Sequence, residues 1–267
     1  MTDMPTTEPA TAISLTAAWL SIAAVITYQV ILIALIFIRP DLDPSWHTLS
    51  EWAIGPYGWI MSMAFVISAV SYAALFTMLK SQIRGSMGRI GLGILSVCVV
   101  GTVGIGVFTT DPLDGKALST TGLLHIIFGT SALVLLPFAA LLINLSLALK
   151  NSAWLSARRA LLWTAGLPLL GFLGFAIYTA IFVVPLGPHA YGPGVNIGWP
   201  PRFALFAYMV WLVTLAWQAI KVRNQRSRLS SKQGQPPQTA KEWDWGFGSA
   251  GVFLLRRRLA SFGRRRL

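Results

Sequence analysis

The stretch His47–Ile60, reading HTLSEWAIGPYGWI, concentrates residues able to do chemistry. It holds a histidine, the carboxylate of Glu51, hydroxyls and aromatics in a Gly- and Pro-containing run between two long apolar segments. Asp111, Asp114, His125, His189 and Arg202 are further charged or titratable groups near ends of apolar runs that fall on the same side. Two carboxylates and a histidine can hold a divalent metal whose bound water is a hydrolytic nucleophile. The same groups can do acid–base work, since a carboxylate against a low-dielectric surface has its pKa raised toward neutral pH. On that reading the catalytic candidates are Glu51, Asp111 and His125. No HxxxH or HExxH spacing is present, so no metal site and no cofactor are assigned. The structural alternative is favoured. Thr110-Asp111-Pro112 is a good turn sequence, with Asp bonding forward to backbone, and Glu51 has Arg39 and Arg202 as ion-pair partners. Gly55-Pro56-Tyr57-Gly58 is a turn that bends the loop back so that Glu51 lies near the other groups.

The elements that must position these residues are membrane spans. The chain has 267 residues, 55% hydrophobic and 11% charged, where soluble domains carry about 25% charged residues. A span needs ~20 apolar residues. Six runs fit: Ile13–Ile38, Trp59–Leu79, Ile90–Phe108, Leu123–Leu149, Ala160–Val184 and Phe203–Ile220. None contains Lys, Arg, Asp or Glu. All are read as helices, because lipid offers no partner for unpaired backbone groups. The fold class is therefore all-α, a polytopic six-helix membrane bundle over residues 13–220, with short N-terminal residues 1–12 and a basic tail over 221–267.

Charge sets the expected topology. The loops Lys80–Arg89 and Lys150–Arg159 and the tail hold 18 of the 21 basic residues, and six spans put all three on one side. The positive-inside rule makes that side cytoplasmic, together with both termini, in the cell membrane. Acidic residues between the spans, Asp41, Asp43, Glu51, Asp111 and Asp114, lie in the outer loops. Residues 1–12 carry Asp3 and Glu8 and no basic residue, so the first run is expected to stay as a span rather than act as a signal peptide.

Within the spans, Gly91, Gly93, Gly101, Gly104 and Gly106 crowd the third, and Gly166, Gly171 and Gly174 mark the fifth, as close helix packing in lipid requires. Pro137 and Pro168 predict kinks. Gln29, Tyr72, Thr130, Asn144 and Gln218 read as interhelical hydrogen-bonding residues ahead of a transport path. The loop Pro185–Arg202 is expected to fold over the outer mouth, tied by Tyr191 and Trp199. Trp46, Trp52 and Trp59 read as interfacial aromatics. Lys221–Lys241 reads as disordered. Val252, Leu255, Leu259 and Phe262 sit at helical spacing beside Arg256–Arg258 and Arg264–Arg266, so 246–262 is either an amphipathic helix on the inner leaflet or a disordered basic tail. Anionic inner-leaflet lipid, not nucleic acid, is the partner expected for that charge.

Several classes fall away. There is no lysine within a span for retinal, no pair of intrahelical histidines for b-type haem, no intramembrane carboxylate for a charge-driven pump, and no phosphate- or dinucleotide-binding fingerprint. The single cysteine, Cys98, excludes an intramolecular disulfide and a cysteine metal cluster. A small-molecule carrier stays open, because kinked neutral helices can line a path.

Four motifs in order resemble a family. LSEWAIGPYGWIM (Leu49–Met61) looks like the first-loop signature of the bacterial and archaeal membrane proteins called domain of unknown function 998. GVFTTDP (Gly106–Pro112) resembles its second motif, and Leu124-His125 with Gly129 its third. Gly198–Arg202, followed by an apolar helix with Trp211, resembles the last, although Pro200-Pro201 replaces a more usual polar residue before the arginine. The resemblance implies six spans and places the family's polar positions on Glu51, Asp111, His125 and Arg202. A more distant likeness to six-span eukaryotic autophagy modulators and lipid-anchor remodelling proteins implies a lipid-related role. The expected function is a non-enzymatic membrane protein binding a lipid or small ligand at an outer polar cluster of Glu51, Tyr57, Asp111, His125 and Arg202. The alternatives are a membrane-embedded lipid hydrolase or transferase using Glu51, Asp111 and His125, and the carrier.

Overall fold

The computed structural model describes residues 13–112 and 117–233. Residues 1–12, Asp114, Lys116, the side chain of His189 and the expected amphipathic stretch 246–262 lie outside the described residues. The chain divides at Arg228, and of the second unit Leu229–Gln233 are described and are helical.

The architecture is all-helical among the described residues. Its helices are α1 (Leu15–Ile38), α2 (Gly58–Leu79), α3 (Gly85–Val107), α4 (Thr120–Lys150), α5 (Arg158–Ala165), α6 (Leu167–Tyr178) and α7 (Trp199–Gln233). Six helical segments are long and apolar enough to cross a membrane, the fifth running over Ser152–Gly187 and including α5 and α6. Large apolar side chains such as Phe37, Val100 and Leu170 stand exposed along them, as a lipid-facing surface requires.

Small residues set the close contacts. A Cβ at Gly101 would press on the Phe128 carbonyl and the Ser131 hydroxyl of α4, and one at Gly91 on the Ile143 backbone. Gly106 faces the Ser62 carbonyl of α2, and Gly171 faces Ala204 and Ala207 of α7. Gly93, Gly166 and Gly174 meet nothing within 4 Å, so they have no such packing role. Between α1 and α2, Ser21 and Ser71 exchange hydrogen bonds, each hydroxyl donating to the other's carbonyl at 3.0 and 2.8 Å.

Polar residues inside the spans bind helices together. Asn144 of α4 donates to the Leu161 carbonyl of α5 at 2.9 Å and accepts from the Trp211 indole of α7 at 3.1 Å. The two prolines act differently. Pro168 sits in the first turn of α6, just after a break at Gly166 that splits the fifth span. Pro137 lies within α4, which is continuous through it. Lacking an N–H, Pro137 leaves the carbonyl four residues back, that of Leu133, without its helical donor. The Tyr208 hydroxyl of α7 supplies one at 2.8 Å.

Two expectations need correcting. The last helix does not become disordered at Lys221 but continues to Gln233. Arg, Gln, Lys and Leu are good helix formers and the next proline is Pro236; Arg223 is also anchored on the Ile13 carbonyl at 3.0 Å. Trp52 is not an interfacial aromatic. Its exposure is 0%, so it belongs to the core formed with Tyr28, Leu32, Leu35 and Met61.

Candidate functional site

Each residue at the loop-rich end of the bundle is held by local chemistry. Thr48 starts a short 3-10 helix over Leu49–Ala53. Glu51 reaches back to its start, accepting from the Thr48 N–H at 2.7 Å and from its hydroxyl at 3.3 Å. That reciprocal cap satisfies a backbone donor the helix leaves open. Glu51 is therefore committed to the loop and does not pair with Arg39. Arg39 is 6% exposed. It grips Asp41 through Nε and Nη2 and donates through Nη1 to the Ile54 and Pro56 carbonyls, at 2.8 and 2.9 Å. These bonds raise the Arg39 pKa and hold the Asp41 carboxyl below the usual carboxylate range. They also shape the turn beyond them, where Gly55 has φ +75° and Tyr57 takes a left-handed conformation at φ 60°. Tyr57 is exposed.

Arg202 lies in the first turn of α7. Pro200 and Pro201 precede it where helix N–H groups have no intrahelical acceptor, so they cost no backbone bond. Its Nη1 donates to three carbonyls, Gly198 at 2.6 Å, Pro44 at 3.1 Å and His47 at 3.2 Å. The guanidinium carbon stands 4.6 Å from the Trp52 ring centroid. Arg202 is thus a clamp between α7 and the 44–47 loop.

Asp111 does not close a local turn at Thr110–Pro112 but reaches Ser119, the N-cap of α4. Its carboxylate accepts from the Ser119 N–H and the Ser119 hydroxyl, both at 2.7 Å. The same hydroxyl accepts from the Gly122 N–H at 3.0 Å and caps α4. This fixes the first turn of α4 and, one turn on, His125.

His125 is 4% exposed and bonded through both ring nitrogens. Nδ1 lies 2.6 Å from the Phe108 carbonyl, and Nε2 lies 2.8 Å from Ser50 Oγ. A carbonyl only accepts, so in the neutral ring the proton is on Nδ1 and Nε2 accepts from the Ser50 hydroxyl. Three elements meet there: the end of α3, the start of α4 and the short helix of the first loop.

Beneath this junction is a cavity of about 430 Å³. Its mouth carries Thr48, Ser50, Thr110, His125 and Tyr191. Its walls are mostly apolar, with Phe65, Ile105, Leu133, Phe175 and Leu205 among them. Tyr72, which also lines it, stands roughly 20 Å along α2 from Gly58 by helical rise. That reaches past the middle of a ~30 Å hydrocarbon layer. The fifth span contributes Phe175 and Thr179, the latter opening a π-helical turn over Thr179–Val183. The loop before α7 contributes Tyr191 and Ile197 to the lining, while Trp199, the other expected tie, lies against Arg202 and Phe203 instead.

Of the expected ligand-binding set, His125 lines the cavity. Glu51, Asp111 and Arg202 brace the elements around it, and Tyr57 stands at the start of α2. The catalytic trio Glu51, Asp111 and His125 is not assembled around one point, because the two carboxylates are occupied by separate backbone caps. Among the described residues no three His, Cys, Asp or Glu side chains are grouped to hold a metal. Asn144 is engaged in a packed junction rather than lining the cavity. Sequence reasoning missed Ser50, Thr110 and Thr179. Ser50 was within reach, since it adjoins Glu51 in the most unusual stretch of the chain. Thr179 carried no signal within an apolar run.

The sequence model of one family, described as protein of unknown function (DUF998), matches residues 21–218, more than half of the chain. No curated protein and no solved structure matches.

Proposed function

We propose, from the premise that the chain belongs to the DUF998 family of proteins of unknown function, that this integral membrane protein binds one amphipathic lipid in its cavity. The observation that carries this is the cavity itself, whose surface is mostly apolar, with the hydroxyls of Ser68, Tyr72, Thr102 and Tyr208 spaced along the spans and Ser50, Thr110 and His125 at the loop end. Its volume of about 430 Å³ lies in the range of small-molecule sites, which are mostly apolar with a few fixed polar groups. A chain would lie between Phe65, Leu133 and Leu205, and a headgroup would meet Ser50, Thr110 and His125.

Orientation follows the charge argument. The basic loops and tail face the cytoplasm, so the mouth opens at the outer leaflet of the cell membrane, and the tail contacts anionic lipid on the inner leaflet. Reporter fusions at each loop test that orientation.

The binding reading is tested by native mass spectrometry of protein released from phosphatidylethanolamine–phosphatidylglycerol nanodiscs. One retained lipid is expected in the wild type. Leu205→Trp, which puts bulk into the cavity, is expected to lower its occupancy severalfold, with Phe37→Trp on the exposed surface as control. Equal occupancy in all three proteins sinks the reading.

A further inference from the structure

We propose that Ser50 and His125 are a nucleophile–base pair that cleaves an acyl ester of the lipid held in the cavity. This rests on the binding reading above and adds a reaction to it.

The geometry has the parts that activation of a serine requires. The Ser50 hydroxyl donates to His125 Nε2 at 2.8 Å, within the reach expected of a nucleophile and its base. The opposite ring nitrogen is held by the Phe108 carbonyl at 2.6 Å. That bond keeps the proton on Nδ1 and the basic lone pair of Nε2 toward Ser50, the orienting task a third group performs in such sites. Phe108 is itself fixed, as its ring stacks on Phe128 at 5.5 Å between centroids. Both Ser50 and His125 line the cavity. A pair that only fastened the first loop to α4 could do so from within the packed interior. Here the hydroxyl is half-buried and lines the cavity at its loop end, where the ester of a bound lipid would sit. Thr110 stands on the same rim, and its hydroxyl makes a 3.4 Å contact to the Asp111 carbonyl, long for a hydroxyl donor, so it can turn toward a developing oxyanion.

The chemistry balances with water as co-reactant. Ser50 Oγ adds to the ester carbonyl carbon while its proton passes to His125 Nε2. The carbon–oxygen bond to the alcohol breaks, and Nε2 returns the proton to the departing oxygen. Water then attacks the acyl-serine, giving a proton to Nε2, which hands it to Ser50 Oγ as the fatty acid leaves. The sum is ester and water to acid and alcohol, with no change of oxidation state.

The test is phosphonylation by dodecyl fluorophosphonate in detergent micelles, read by intact mass and peptide mapping. The same preparations are scored for retained phosphatidylglycerol by native mass spectrometry. One adduct is expected, on the peptide bearing Ser50, with loss of fluoride. Ser50→Ala, which removes the labelled hydroxyl, is expected to abolish it, while Phe37→Trp on the exposed surface is expected to keep both the adduct and the lipid occupancy of the wild type. His125→Gln should slow labelling roughly 10²–10⁴-fold, the range for a general base. If thermal unfolding shows that His125→Gln does not fold, the Ser50→Ala comparison decides. No adduct on Ser50 in protein that retains lipid overturns the reaction and leaves the binding site standing. Labelling of Ser50 at an unchanged rate in a folded His125→Gln also overturns the pair. Absence of retained lipid in the wild type removes the binding reading and this proposal with it.

Discussion

Replacing Arg202 tests whether the outer clamp is structural. Arg202→Ala removes the Nη1 bonds to Gly198, Pro44 and His47 and the contact over Trp52. One nitrogen makes all three bonds, so they count for about two good ones. At about 1.5–3 kcal/mol for each bond from a charged donor, they contribute about 3–6 kcal/mol. The ring contact adds about 1 kcal/mol. Against this, Arg202 Nη2 is buried without a hydrogen-bond partner among the described residues, and removing it relieves about 1–3 kcal/mol. The net loss is about 3 kcal/mol. At ~2–4 °C per kcal/mol for a domain of this size, the melting temperature in detergent should fall by about 6–12 °C, followed by tryptophan fluorescence. Arg202→Lys should recover less than half, because an ammonium cannot cover three carbonyls and stack on a ring. A fall under about 2 °C for Arg202→Ala, or full recovery by lysine, refutes the clamp.

Other substitutions probe the interior. Asn144→Ala breaks the bonds to Leu161, Thr164 and Trp211; at about 0.6–1.7 kcal/mol per intramembrane bond, it should cost about 2–5 kcal/mol in thermal unfolding. Tyr208→Phe should cost about 1 kcal/mol by orphaning the Leu133 carbonyl. Pro137→Ala, which restores a backbone donor to that carbonyl, should cancel most of that cost in a double-mutant cycle. The Asp41 carboxyl has a folded pKa below its unfolded one. Its contribution is complete above the unfolded value, near ~3.9, and is lost as pH falls through the lower folded value. Unfolding monitored against pH should therefore show an acid limb below about pH 4 that is shallower in Asp41→Asn.

The helical spans were legible because they follow from rules that act on single residues. Charge-free runs became helices, and the ends of α1 to α4 fall within a few residues of the apolar boundaries. The positions of Glu51, Asp111, His125 and Arg202 were also legible, through their motifs. Their roles were not. Glu51 and Asp111 look like site carboxylates in sequence, yet each is spent on a helix start. Arg39 read as an ion-pair partner of Glu51 but organises the turn to Pro56. The cavity could not be read at all, since it depends on side chains from every span and from three loops. Ser50 gained its meaning only when folding brought it to a histidine 75 positions away.

In the proposed binding mode a lipid chain lies inside the bundle and not merely around it. Photo-crosslinking in nanodiscs doped with a phospholipid carrying a diazirine near the end of one acyl chain tests this most directly. Adducts on Phe65, Leu133 or Leu205 of the cavity wall are predicted. Adducts confined to lipid-facing residues such as Phe37, Val100 and Leu170 would contradict it.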